Sequence, residues 1–314
     1  MGLGPPFPGG LWSAAMAAPY WVSVAVLVLM TVTNGETVID PNQLAPIVQQ
    51  ILNRYTPHNN GANNNREPPM FSVAVSVPLN KQTSKFDMNK VPKDGKDDEA
   101  VKTKILNCDV YIGNKVVAAT VLRWRYVFHQ CPDKLVHWQI PKKCNGKEIN
   151  TLADIDNFCD KEYIRNNLDS QAVHAESRTL DYFKDNDKIR KNSKDDLMVF
   201  YVRASPCDET CTNPGNTRNI LSKIQAIKNW KNYVFVFSDV FRPDDNNPNR
   251  VNELRGSLER LGDAIADPGS EVKDKRSNGL QHIFRCYKQP EMDEMKCLIC
   301  NTNGAVAQKC ILGG

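Results

Sequence analysis

The chain has 314 residues, 41% apolar and 24% charged, proportions of an ordinary globular protein that exclude a disordered chain and a polytopic membrane protein. A net charge of +4 permits contact with phosphates without demanding it, and the length suits one α/β core with long insertions.

Residues 1–35 contain no Asp, Glu, Lys or Arg, and Trp21–Val32 is an apolar run broken only by Ser23 and Thr31. The run is short for a membrane span and suits the apolar region of a signal peptide, with small Thr33 and Gly35 before a cleavage point after residue 35. The missing basic N-terminus leaves an uncleaved anchor as the alternative. Secretion, with no stable membrane association after cleavage, is the expectation. Ten cysteines agree with it, since disulfides persist outside the cytosol, whereas the absence of any Asn-X-Ser/Thr acceptor counts against it.

Asp40-Pro41 opens a predicted helix whose Leu44, Ile47, Val48, Ile51 and Leu52 share a face, and the Asn-rich stretch up to residue 69 reads as a linker. Met70–Leu79 alternates as a half-buried strand. Residues 80–104 read as a solvated excursion, and Ile105–Ile112 with Val116–Phe128 as a hairpin about Gly113-Asn114. Residues 130–168 carry no usable period. A helix is expected from Ala172 to about Lys184, then a strand buried on both faces at Leu197–Arg203. Ile220, Leu221, Ile224 and Ile227 mark a helical stripe, with Arg218, Lys223 and Lys228 on its solvated side. Tyr233–Phe237 is a second buried strand, Val251, Leu254, Leu258, Leu261 and Ile265 mark a strong helix, and Leu280–Tyr287 a last strand. The helix between those strands is long enough for them to lie parallel. Residues 70–290 thus form the main domain and 291–314 a Cys-rich tail.

Two motifs carry chemistry. His174-Ala175-Glu176 starts one helix, and Ser205-Pro206-Cys207-Asp208-Glu209-Thr210-Cys211 follows a buried strand, so both lie at strand-to-helix junctions, where open α/β sheets build sites. One His and two Cys leave a tetrahedral zinc a fourth position for water, the catalytic arrangement. Glu176 lies about 200° around a helix from His174, poorly placed to share an ion and able instead to move protons. H-x-E with P-C-x-x-C is the zinc-deaminase signature, from which C-x-x-x-C here departs by one residue. A structural zinc or a Cys207–Cys211 disulfide is the plainer alternative. If two cysteines serve a metal, the other eight allow four bridges. Cys297-Leu298-Ile299-Cys300, near Cys286 and Cys310, has zinc-ribbon spacing, but disulfides suit an exported chain better, as they do for Cys131 and Cys144 beside His129 and His137.

Over residues 70–290 the two motifs, Ser205 before Pro206 and the order of elements resemble the AID/APOBEC family, and with the leader the chain looks most like its secreted novel AID/APOBEC-like deaminases. The resemblance implies a three-layer cytidine-deaminase-like fold, a mixed five-stranded sheet between helices with the last two strands parallel. It further implies Zn2+ on His174, Cys207 and Cys211, Glu176 as catalytic acid/base, and hydrolytic deamination of cytosine in single-stranded DNA or RNA, serving immunity against pathogens. Ala175, Ser205, Pro206, Phe241 and Arg242 would bind substrate, Phe241 by stacking on a base and Arg242 by meeting a phosphate. Arg123-Trp124-Arg125-Tyr126 interleaves bases with aromatics, although a strand does so harmlessly. A deaminase of free cytidine or deoxycytidine and an inactive secreted zinc-containing nucleic-acid-binding protein are the alternatives. Oligomeric state is left open.

Overall fold

The structure is a computed structural model that describes residues 1, 2, 4, 39–58, 68–91, 97–123, 131–134, 143–162, 164, 172–185, 189, 194–241, 248–267, 269, 275–289 and 292–312. The leader read over residues 1–35 lies almost wholly outside them, as do residues 59–67, Trp124–Tyr126, His129, His137 and Arg242. The chain divides into two compact units, Met1–Gly35 and Glu36–Gly314, and the architecture described is that of the second. No helix among the described residues is long and apolar enough to cross a membrane.

The main sheet has seven strands: β1 Phe71–Val77, β2 Tyr111–Ile112, β3 Val116–Thr120, β4 Leu197–Ala204, β5 Asn232–Asp239, β6 Ile283–Gln289 and β7 Met292–Ile299, in the order β7-β6-β5-β4-β1-β3-β2. Its centre is parallel: Phe200 pairs with Phe235 between β4 and β5, and Phe235 with Ile283 between β5 and β6. The remaining pairings are antiparallel. A mixed sheet is therefore present, and the two strands expected to be parallel are so, but it has seven strands rather than five. One of its two edge strands, β2, comes from the expected hairpin, and the other, β7, is the strand the sequence did not announce. β2 is two residues long, and β7, from the segment read as a tail, is rich in charge, as exposed edges commonly are.

Alternation within each strand builds two cores. Ala74, Met198, Phe200, Val202, Phe235 and Phe237 face one side, against Leu180 and Phe183 of α4 (Ala175–Asp185) and Leu254, Leu258, Leu261 and Ile265 of α5 (Arg250–Ile265). Val73, Val75, Val199, Tyr201, Val234 and Val236 face the other, beneath α1 (Pro41–Tyr55) and Val101 and Ile105 of α2 (Asp97–Leu106). Burying each such side chain contributes roughly 1.5–3 kcal/mol, which fixes the sheet between its helices. Helix α2 occupies part of the expected solvated excursion and takes Ile105 from the predicted hairpin, of which β2 and β3 pair in the main sheet. The short α3 (Leu152–Phe158) lies in the stretch without a period, beside Cys108–Cys131 and Cys144–Cys159 in a satellite core. The C-terminal bridges are Cys286–Cys297 and Cys300–Cys310. Eight cysteines thus form four disulfides, as the even count allowed, and the zinc-ribbon reading of the C-terminal four is set aside.

The helix expected after β4 is absent. Residues 208–223 run through turns past Pro214-Gly215 into a 3-10 helix at Ile224–Asn229, where Ile224 and Ile227 are still buried. Helix α5 meets α6 (Lys275–Leu280) at two glycines: a Cβ added at Gly279 would lie 1.9 Å from the Gly262 carbonyl oxygen, so only a residue without one fits.

Candidate metal centre

His174 precedes α4, and its carbonyl accepts the Arg178 backbone N–H at 3.2 Å, which makes it the helix cap and puts Glu176 in the first turn. This helix start is anchored by Arg178, whose guanidinium donates to the carbonyls of Thr120 at 2.6 Å and Cys108 at 2.5 Å. Burial pulls the Arg178 pKa down to about 10, against the favourable fields of Tyr182 and Asp109. Nothing in the sequence singled out Arg178.

Cys207 and Cys211 are brought to the same place by the turn after β4. Their sulfurs are 3.2 Å apart without a bond, and the Cys211 N–H donates to Cys207 Sγ at 3.3 Å. His174 Nδ1 lies 3.0 Å from Cys211 Sγ and 3.8 Å from Cys207 Sγ. These three residues are the cluster among the described residues that could hold a metal ion, their ligand atoms all within 4.8 Å of one another. The plainer alternative of a Cys207–Cys211 disulfide is not what the geometry holds. Contact with the Cys211 sulfur holds Cys207 well below the usual thiol pKa, favouring the thiolate, while that neighbour and burial push Cys211 up. For His174, burial works against the charged form but is outweighed by the Cys207 sulfur and the Glu176 carboxylate, so its pKa rises.

Glu176 is buried, with Oε1 3.8 Å from Cys211 Sγ. Burial is the largest influence on its carboxyl and raises its pKa. Ala175 and Pro206 are buried beside these groups. Ser205 joins two loops: its N–H donates to Asp239 O at 2.8 Å and its hydroxyl accepts the Phe241 N–H at 2.9 Å. The Phe241 side chain is half-buried and packs on the core. Of the bases near the 3-10 segment, Lys223 bonds Ser177 Oγ at 2.9 Å and pairs with Asp181, Lys228 caps Ala266 O at 3.0 Å, and exposed Arg218 reaches Ala172 O at 3.3 Å.

The family model described as Secreted Novel AID/APOBEC-like Deaminase 1 matches residues 160–313, a span that contains all four motif residues. The match supports an AID/APOBEC-like deaminase family for this segment. Neither curated proteins nor solved structures gave a match. The deaminase match begins before α4 and runs past β7, so the family's segment includes the central parallel strands, both motifs and the C-terminal disulfides.

Proposed function

We propose that the protein is a secreted zinc-dependent deaminase that converts cytosine to uracil in single-stranded DNA or RNA. The observation that carries this reading is the meeting of His174, Cys207 and Cys211 beside the buried Glu176 carboxylate, built from the two unbridged cysteines of a chain whose other eight are paired. The donor set fits zinc. For tetrahedral zinc with Zn–S near 2.3 Å and Zn–N near 2.0–2.1 Å, sulfurs lie about 3.8 Å apart and nitrogen about 3.6 Å from sulfur. The separations of 3.2, 3.0 and 3.8 Å approach this, and seating an ion requires the closer pairs to part by roughly half an ångström.

Bound there, zinc supplies Lewis acidity that brings the pKa of its water near 7. Glu176 does the proton work. Its Oε1 receives a proton from the water whose oxygen bonds C4 of cytosine and passes that proton to N3. It then carries the remaining hydroxyl proton to the departing amine, so cytosine and water give uracil and ammonia. Burial of Glu176 beside Cys211 keeps that carboxylate from exchanging its proton with bulk water. Ser205, bonded to the Phe241 backbone, ties the loop proposed to hold the substrate base to the loop that carries the cysteines. The four disulfides support secretion.

The test is to incubate the zinc-loaded full chain with single-stranded DNA, single-stranded RNA and cytidine and score uracil. Product is expected from at least one polynucleotide, with a Glu176→Ala variant slower by at least about 10²-fold while retaining its metal. No product on any substrate, or equal product from the variant, overturns the reading.

A further inference from the structure

The stretch between the two cysteines is not an α-helix, so its shape is not set by helical hydrogen bonds. Within it the Cys211 N–H donates to Cys207 Sγ, and the Thr212 N–H reaches Cys207 O at 3.2 Å. What holds it comes from outside. Ser257, fully buried on α5 among Leu254, Leu258 and Leu261, donates its hydroxyl to Pro206 O at 2.7 Å and accepts the fully buried Thr212 hydroxyl at 2.9 Å. One serine thus grips the residue before Cys207 and the residue after Cys211. One helical turn further on, Arg260 donates to Thr212 O at 2.7 Å and pairs with Asp208.

We infer that Ser257 and Thr212 are positioning residues that preset the spacing of Cys207 and Cys211 for a metal ion; the inference rests on the metal-centre reading. A serine on an otherwise apolar stripe is costly unless its hydroxyl is used, and here both its donor and its acceptor capacity are spent on the two ends of the cysteine loop. Outer partners that orient metal ligands in this way typically govern affinity by 10–100-fold. Arg260 adds a charged brace at the same point of α5, so the loop is held to the helix that separates the two parallel strands rather than to its own strand.

The test is zinc affinity of the full chain, measured by competition with a chromophoric chelator, in Ser257→Ala, Thr212→Val and a Ser76→Ala control. Ser76 is equally buried, bonded to Asp196 at 2.8 Å and Trp230 at 3.2 Å, and lies far along the strands from the cysteine loop. Zinc binding about 10–100-fold weaker in Ser257→Ala and Thr212→Val is expected, with faster alkylation of Cys207 and Cys211 and wild-type affinity in Ser76→Ala. Should Ser257→Ala not fold, the near-isosteric Thr212→Val decides. Unchanged affinity in the folded Ser257 and Thr212 variants, or an equal loss in Ser76→Ala, overturns the positioning role while leaving the metal centre intact. A wild-type chain that takes up no zinc overturns both.

Discussion

Two cysteine pairs of this molecule are both buried and near in sequence, yet their chemistry differs. Cys300 and Cys310 bridge across the small ribbon of Asn301–Thr302 and Ala305–Val306, among Val306, Ala307 and Ile311. Cys207 and Cys211 remain thiols 3.2 Å apart, with an imidazole and a carboxylate as neighbours. What distinguishes the unbridged pair from the bridge is therefore the company each keeps. Apolar surroundings favour the uncharged cystine, whereas His174 and the Cys211 backbone N–H favour a thiolate on Cys207.

Removing the imidazole is the most direct way to break this contrast. His174→Ala is expected to lose its bound zinc and then, under oxidised glutathione, to lose the two titratable thiols per chain as Cys207 and Cys211 bridge. The zinc-loaded wild type keeps both, and metal analysis with a thiol count on denatured protein decides. A variant that retains metal would place the ion elsewhere. The converse substitution, Cys300→Ser with Cys310→Ser, is expected to leave zinc stoichiometry unchanged and cost about 3 kcal/mol in denaturant unfolding, by the loop-closure estimate for a short bridge. Equal stability would mean that the ribbon holds without its bond. The smallest effect is expected at the rim: Lys223→Met removes the pair with half-exposed Asp181 and the bond to Ser177 Oγ and should cost about 1–2 kcal/mol in thermal unfolding, with zinc affinity unaltered.

How much of this was legible in the chain depended on how locally each feature is encoded. Leu197–Arg203 and Tyr233–Phe237 are unbroken apolar runs because both faces of β4 and β5 are covered, and they read as strands at once. The α5 stripe was as plain. β7 was not, since an edge strand carries charge that in sequence resembles a tail. The spacing of Ile224 and Ile227 fits a 3-10 turn as well as an α-helix, so periodicity alone could not tell them apart. At the site, the meeting of His174, Cys207 and Cys211 beside Glu176 was readable because metal ligation and proton transfer call for those residue types at short spacing. Ser257, Arg260 and Arg178 act through carbonyls and hydroxyls of distant segments, and such partnerships leave no local pattern. The one available sign was Ser257 itself, a hydroxyl on a face otherwise reserved for leucine.

The two glycines where α5 meets α6 give that helix a fixed bearing. Ser257 lies five residues before Gly262, about 7.5 Å along a rigid rod, so the cysteine loop is gripped by a lever whose pivot is the bare backbone of Gly279. A single methyl group there would press on the Gly262 backbone, on the same helix that carries Ser257. The bearing of the helix that grips the cysteine loop is thus set in part by the missing side chain of a residue far downstream.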